Sequence, residues 1–304
     1  MNTSCLQSSC VEYIILMSNS LSSAFPSIPL RLAGIDLDIY QTYTIIAVLF
    51  ILPTVWLRNL SLLSYLSVGG IIASILVITS LFWVGVVDQV GFHRGGKALD
   101  LANLSVTMGL YGYGFAGHSV FPNIYSSMKE PSKFPGVLMI SFGFCFVMYT
   151  GVAVAGYSMF GDSIKTQITL SMPKGFYASK IAVWTTIVNP WTKFALTLLP
   201  VALSIEELLP FELRNYAASV VVRTLLALSC LVVALSFPYF GAVMGFIGSA
   251  LAMTVALIMP CAIYLKLYNG RLSKMQVAGC ILIITVGAVC AVIGSYSALT
   301  SLGE

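Results

Sequence analysis

Apolar residues in this chain come in long runs separated by short polar connections. A hydrocarbon core about 30 Å thick is crossed by roughly 20 apolar residues in a helix. Measured that way, the pattern predicts eight complete spans, at 42–57, 62–87, 101–128, 134–160, 181–205, 215–237, 239–265 and 275–298. The run 42–57 is short but uncharged, a mismatch that tilting or local thinning of the bilayer absorbs. Pro238 divides the apolar stretch 215–265 into two helices with a very tight connection. Segments in lipid must satisfy every backbone donor and acceptor internally, so all of these are expected to be α-helical. Short connections place neighbours antiparallel in one bundle. The expected fold class is all-α integral membrane, a polytopic helical bundle, and residues 1–304 read as a single transmembrane domain. The longest non-apolar stretch, 161–180, is expected as an exposed surface loop. Glu12 lies in an apolar stretch, CVEYIIL, that looks like the tail of an earlier helix.

Composition agrees with a bilayer environment. Of 304 residues, 58% are hydrophobic and 9% charged, against about 45–50% apolar and 25% charged in soluble domains. The formal charge of +4 is spread over short connections with no basic block, so nucleic acid is not an expected partner. Basic residues favour one side of the membrane by only eight to six, with Arg223 counted among the connections. Seven cysteines form no CxxC pair, and most lie in apolar runs as small hydrophobes. The first thirty residues lack a basic segment followed by a clean apolar core, so no cleavable signal peptide is expected. There is no GxxxxGK[ST], HExxH or GxSxG motif, and only two histidines. Enzyme chemistry, a metal and a cofactor are therefore not expected.

Polar residues inside the spans carry the candidate chemistry. The third span reads LANLSVTMGLYGYGFAGHSVFPNIYSSM, with Gly109, Gly112, Gly114 and Gly117 interleaved with Tyr111, Tyr113 and Phe115. Each interior glycine costs a helix about 1 kcal/mol relative to alanine. Unwound backbone at membrane depth is tolerated only where protein buries it or a cavity borders it. Discontinuous helices near the midplane are a substrate-site device of secondary transporters. Close helix packing through small residues is the other reading of these glycines, but they fall on several faces, which favours a break. An unperturbed imidazole titrates near neutrality, so His118 is a candidate proton or substrate partner. A neutral ring bonded to a carbonyl is its plain alternative. Lys193 sits twelve residues from either end of 181–205, about 18 Å from each. That is too deep for its stem to reach the headgroups, so it should face the interior and have a partner. Asn189-Pro190 is expected to interrupt the same helix and free carbonyls for it. Glu206 and Glu207, at the end of that span, read as a solvated interfacial pair.

Several long motifs resemble one family. GLYGYGFAGHSVFPNIYSSM, MFGDSIKTQITLSMP and WTTIVNPWTKFAL followed by SIEELLP are similar to plant vacuolar amino acid transporters of the amino acid/auxin permease family. ILPTVWLRNLSLLSYLSVGG and FPYFGAVMGFIGSALA fit the same pattern. The resemblance implies an eleven-helix, LeuT-like inverted-repeat carrier that exchanges or co-moves protons with neutral amino acids in the vacuolar membrane. Its implied partners are the amino acid substrate, protons and the lipid bilayer. On that match the eight spans are family helices four to eleven, residues 1–16 are the end of helix three, and helices one, two and most of three are missing, an N-terminal truncation. The glycine-rich span becomes the discontinuous sixth helix. Gly112, Tyr113, Gly114, Phe115, Gly117, His118 and Ser119 thereby inherit a substrate-binding role. Asn189, Thr192 and Lys193, on the eighth helix, lie beside the position where sodium-coupled relatives hold their ion and inherit an ion-coupling role. Because the family's first helix supplies much of the cradle for the substrate carboxylate, an alternative stands beside transport: a truncated, non-transporting isoform acting as a membrane binding or regulatory partner.

Overall fold

The computed structural model describes residues 2–25, 31–32, 35–57, 60–88, 90–92, 104–117, 121–210, 215–268 and 270–300. Within them the chain is helical almost throughout: α1 (Asn2–Ala24), α2 (Ile39–Val55), α3 (Leu60–Val86), α4 (Leu104–Gly114), α5 (Phe121–Ser127), α6 (Phe134–Phe160), α7 (Tyr177–Glu206), α8 (Tyr216–Ser236), α9 (Phe240–Phe246), α10 (Met259–Leu267) and α11 (Lys274–Thr300). Residues Arg31–Leu32 and Ile35–Asp36 pair antiparallel in a two-residue ladder. Five of the described helical stretches are long and apolar enough to cross a membrane: Val68–Val86, Pro131–Ser163, Tyr216–Ser236, Phe240–Leu267 and Lys274–Thr300. The fold is all-α, polytopic and membrane-embedded.

The predicted spans are met unevenly. The span 134–160 coincides with α6. Helix α2 is a shorter apolar helix of 17 residues. Helix α7 has 30 residues, but Asn189, Pro190 and Lys193 dilute its apolar character. Span 101–128 is split into α4 and α5, with 11 and 7 residues, neither able to cross alone. The N-terminal helix is longer than expected, running 23 residues to Ala24. Ser18, Ser20 and Ser22 lie in this added part, and their hydroxyls donate to the carbonyls of Ile14, Leu16 and Asn19. Those bonds satisfy the polar groups inside the helix itself.

Contacts divide the chain into two compact units. One comprises residues 6–96 and 151–240. Here α3 packs along α7, while α2 packs against both α7 and α8. Asp38 and Gln41 form a capping box that starts α2, and the Asn215 side chain accepts from Ala218 N to start α8. Cross-helix bonds fix the packing: Tyr40 Oη donates to Ala234 O at 3.0 Å, Trp56 Nε1 to Thr224 Oγ1 at 3.0 Å, and Trp191 Nε1 to Phe50 O at 3.0 Å. Leu81, Val84, Ala155, Met159, Met172, Ala178 and Ala182 form a buried cluster. Met172 belongs to the stretch 161–180, so that stretch is not wholly an exposed loop. Thr169 and Gln167 are buried as well, and Ile168 leans into the space that Gly156 leaves by lacking a Cβ. The apolar side chains within this segment supply the reason, since burying each is worth about 1.5–3 kcal/mol.

The other unit comprises residues 1–5, 97–150 and 241–304. In it α4 packs against α11 and against the segment just beyond α9. That segment is not regular helix: two π-helical stretches, Ile247–Ala252 and Thr254–Ile258, join α9 to α10. Predicted span 239–265 therefore exists with a widened middle. Gly109 and Gly248 bring the two backbones together, because a Cβ on Gly248 would overlap the Gly109 carbonyl. The part of α6 in this unit presents Met139 and Ile140 outward, 79% and 75% exposed, as a lipid-facing helix does.

Candidate functional site

The glycine-rich span breaks. Helix α4 stops at Gly114, and the chain then makes tight bonds from Phe115 N to Gly112 O, Ala116 N to Tyr113 O and Gly117 N to Phe115 O. Helix α5 runs from Phe121 to Ser127. His118 and Ser119 lie outside the described residues. An aromatic cluster from α6 holds both sides of the break. Phe115 stacks on Phe142 at 5.9 Å and meets Tyr149 edge-on at 5.6 Å, while Phe121 meets Phe142 at 6.1 Å and Phe134 at 6.0 Å. Such pairs add about 0.5–1.5 kcal/mol each beyond area burial, enough to fix an otherwise weak turn.

The glycines divide between the two readings. Gly109 and Gly112 are packing glycines: a Cβ on Gly109 would come within 2.7 Å of Gly245 O, and one on Gly112 would overlap Met253. Gly114 and Gly117 have ordinary room, with Tyr149 and Phe121 at 3.4 and 3.5 Å. These two therefore belong to the break. Beside it an apolar cleft of about 460 Å³ is lined by Tyr111, Gly112, Phe115, Met253, Leu257 and Cys290, among others.

In the other unit, Asn189, Thr192 and Lys193 converge on α3. Gly70 faces all three: a Cβ there would stand 2.9 Å from Thr192 Oγ1, 3.1 Å from Lys193 Cε and 3.4 Å from Asn189 Oδ1. Asn189 Nδ2 donates to Ser74 Oγ at 3.1 Å, and Thr192 Oγ1 donates to the Asn189 carbonyl at 2.8 Å. Asn189 Oδ1 is buried and accepts no hydrogen bond. Helix α7 is continuous through Pro190 and Pro200, so the predicted interruption at Asn189-Pro190 does not occur. A proline removes one ladder bond, and packing along α3 holds the helix across the gap. Lys193 lies 16 residues from Tyr177 and 13 from Glu206, about 24 and 20 Å along the axis. It is half-buried, and Glu12 of α1 lies within Coulombic range of it. The two groups of candidate residues, around Gly114 and around Lys193, belong to different units.

Two features escaped the sequence reading. Gly70 and Ser74 form the wall opposite Lys193, and the Gly69-Gly70 doublet was their only signal. Glu206 and Arg223 form a buried ion pair, Nε to Oε1 at 3.0 Å, with side chains 15% and 4% exposed. Ser219 Oγ donates to the same carboxylate oxygen at 2.6 Å, and Arg223 Nη1 reaches Val55 O and Leu57 O at 3.2 and 3.1 Å. Glu206 is therefore not a solvated interfacial charge, nor is Arg223 in a connection. One guanidinium closes the last carbonyls of α2 and the end of α7 together.

Fold and site together define a polytopic α-helical membrane protein with an interrupted span and a polar cluster at depth. A family model described as transmembrane amino acid transporter protein matches residues 3–300, and the chain belongs to that family. Amino acid transporter AVT1D of Arabidopsis thaliana is 55% identical over 301 residues, which cover 98% of this chain and 55% of its own length. Amino acid transporter AVT1E of the same plant is 55% identical over 300 residues, 98% of this chain and 57% of its own. Amino acid transporter AVT1I is 35% identical over 296 residues, 95% of this chain and 72% of its own. The chain thus spans little more than half the length of the first two relatives.

Proposed function

We propose that the chain is a single transport domain of a secondary transporter that moves neutral amino acids across the vacuolar membrane, coupled to protons. The observation that carries this reading is the break after Gly114, clamped by Phe134, Phe142 and Tyr149. A helix C-terminus carries partial negative charge, so the end of α4 suits the ammonium group of an amino acid. The apolar cleft beside Tyr111 and Phe115 suits an uncharged side chain. Gly112, Tyr113, Gly114, Phe115, Gly117, His118 and Ser119 would contribute to substrate binding, and Asn189, Thr192 and Lys193 to ion coupling, with access alternating between the two sides. Relatives named as amino acid transporters support the substrate class. Purified protein in liposomes provides the test. Proton flux that depends on added neutral amino acid is the expected result. Absence of such flux would refute transport by this chain and favour the binding or regulatory-partner reading.

A further inference from the structure

Glu12 is the only charged residue of α1. It is 6% exposed and sits among Cys10, Val11, Ile14 and Ile15, all buried. A carboxylate so placed is costly unless it is protonated or faced by a cation. The geometry supplies a cation. At its far end α1 meets α7 through an edge-on contact of Phe25 with Trp184 at 5.6 Å, and Lys174 Nζ donates to the Ser23 carbonyl at 3.3 Å. From that contact Glu12 lies 13 residues back along α1 and Lys193 nine residues on along α7. These are rises of about 20 and 14 Å, which differ by about one helical turn, a gap that two long side chains span.

We propose that Glu12 is a proton-binding site at membrane depth, with Lys193 as its counter-charge; this rests on the transport reading above. With Glu12 ionised the pair is neutral. When a hydronium ion gives its proton to the carboxylate, water leaves, Glu12 becomes a neutral acid, and the pair carries the single positive charge of Lys193. A charge change of that kind in a low-dielectric setting biases one conformation over another. The surroundings of Lys193 suit the exchange, because Ser74, Asn189 and Thr192 are polar and the Asn189 Oδ1 atom stands ready to accept. Among the described residues, Cys10 on the same helix lies within Coulombic range of both Glu12 and Cys230 of α8, and Tyr13 follows Glu12 in the chain. Helices α2 and α3 carry no charged residue, and Arg223 on α8 is engaged by Glu206.

The test reconstitutes the full chain in liposomes and follows labelled alanine in two ways: exchange at equal pH, and uptake driven by an imposed pH gradient. In E12Q the ratio of gradient-driven uptake to exchange should fall to that of a dissipated gradient. E12D should move the pH midpoint of coupling, and serves if E12Q fails to assemble. A wild-type ratio in E12Q, or an unmoved midpoint in E12D, overturns the assignment. If the wild-type chain shows no exchange, the transport reading fails instead, and Glu12 is judged by infrared difference spectra between about pH 5 and 8. A protonated-carboxyl band that is absent in E12Q and shifted in K193M supports the proton site. Identical spectra in wild type and E12Q overturn it.

Discussion

Replacing Arg223 by methionine keeps an apolar stem but withdraws a cation from three acceptors at once: the Glu206 carboxylate at 3.0 Å, and the carbonyls of Val55 and Leu57 at 3.2 and 3.1 Å. The arginine is 4% exposed and the glutamate 15%, so water enters poorly to replace what is lost. Breaking one side of a buried pair leaves an uncompensated charge and destabilises by about 3–5 kcal/mol. Ser219 still donates to Glu206 at 2.6 Å, and a hydrogen bond to a charged group contributes about 1.5–3 kcal/mol net, which offsets part of the loss. We therefore expect Arg223→Met to destabilise by about 3 kcal/mol, at the lower edge of that range. The double variant R223M/E206Q, with no orphaned charge, should recover part of the loss. Lysine at 223 should fall between, because an ammonium lacks the planar fork that serves carboxylate and carbonyls together. Denaturant unfolding in detergent, followed by tryptophan fluorescence, measures each variant. A loss below about 0.5 kcal/mol in R223M, or strictly additive effects in the double-mutant cycle, would refute the reasoning.

Other expectations are direct. Gly248→Ala drives a methyl group into the Gly109 carbonyl and should destabilise by about 1–3 kcal/mol. Gly143→Ala, with open space around it, should be stabilising by up to about 1 kcal/mol in the same assay; equal effects would show that the α4 contact is loose. Gly114→Leu should abolish amino acid uptake by the reconstituted protein, and normal uptake would remove the broken helix from the site. Lys193→Ala should do the same through the polar cluster. Gly70→Ala displaces Thr192 and Lys193 together, so uptake should drop while the protein still folds; unchanged uptake would detach Lys193 from function.

How far the sequence reveals this protein depends on the range of the interaction involved. Span α6 is legible to the residue because Lys133 and Asp162 bracket a long uncharged run rich in apolar residues. The break at Gly114 is legible because glycine weakens helix locally, whatever surrounds it. The role of Gly109 and Gly112 is not, since only the partner segment shows that they admit a neighbouring backbone. Helix α1 is hidden past residue 16 because bonds from serine to a carbonyl one turn back leave no mark on polarity. The pairing of Glu206 with Arg223 depends on α7 and α8 lying side by side. Two charges at apparent helix ends are more often solvated, and sequence alone favours that reading. Continuity of α7 through Pro190 is likewise decided by packing on α3, which no local rule supplies.

The two π stretches between α9 and α10 have a consequence for anyone choosing mutation sites by periodicity. Each wide turn holds a residue more than an ordinary one, and every residue added to an α-helix rotates the rest of the helix by about 100°. A helical wheel drawn from Phe240 through Leu267 therefore loses phase on passing Ile247–Ile258. Substitutions beyond Met259 aimed at the lipid side by such a projection would land elsewhere on the cylinder. Labels, crosslinkers and cysteine scans of this stretch need to be placed from coordinates, with the segment treated as two short cylinders set out of step.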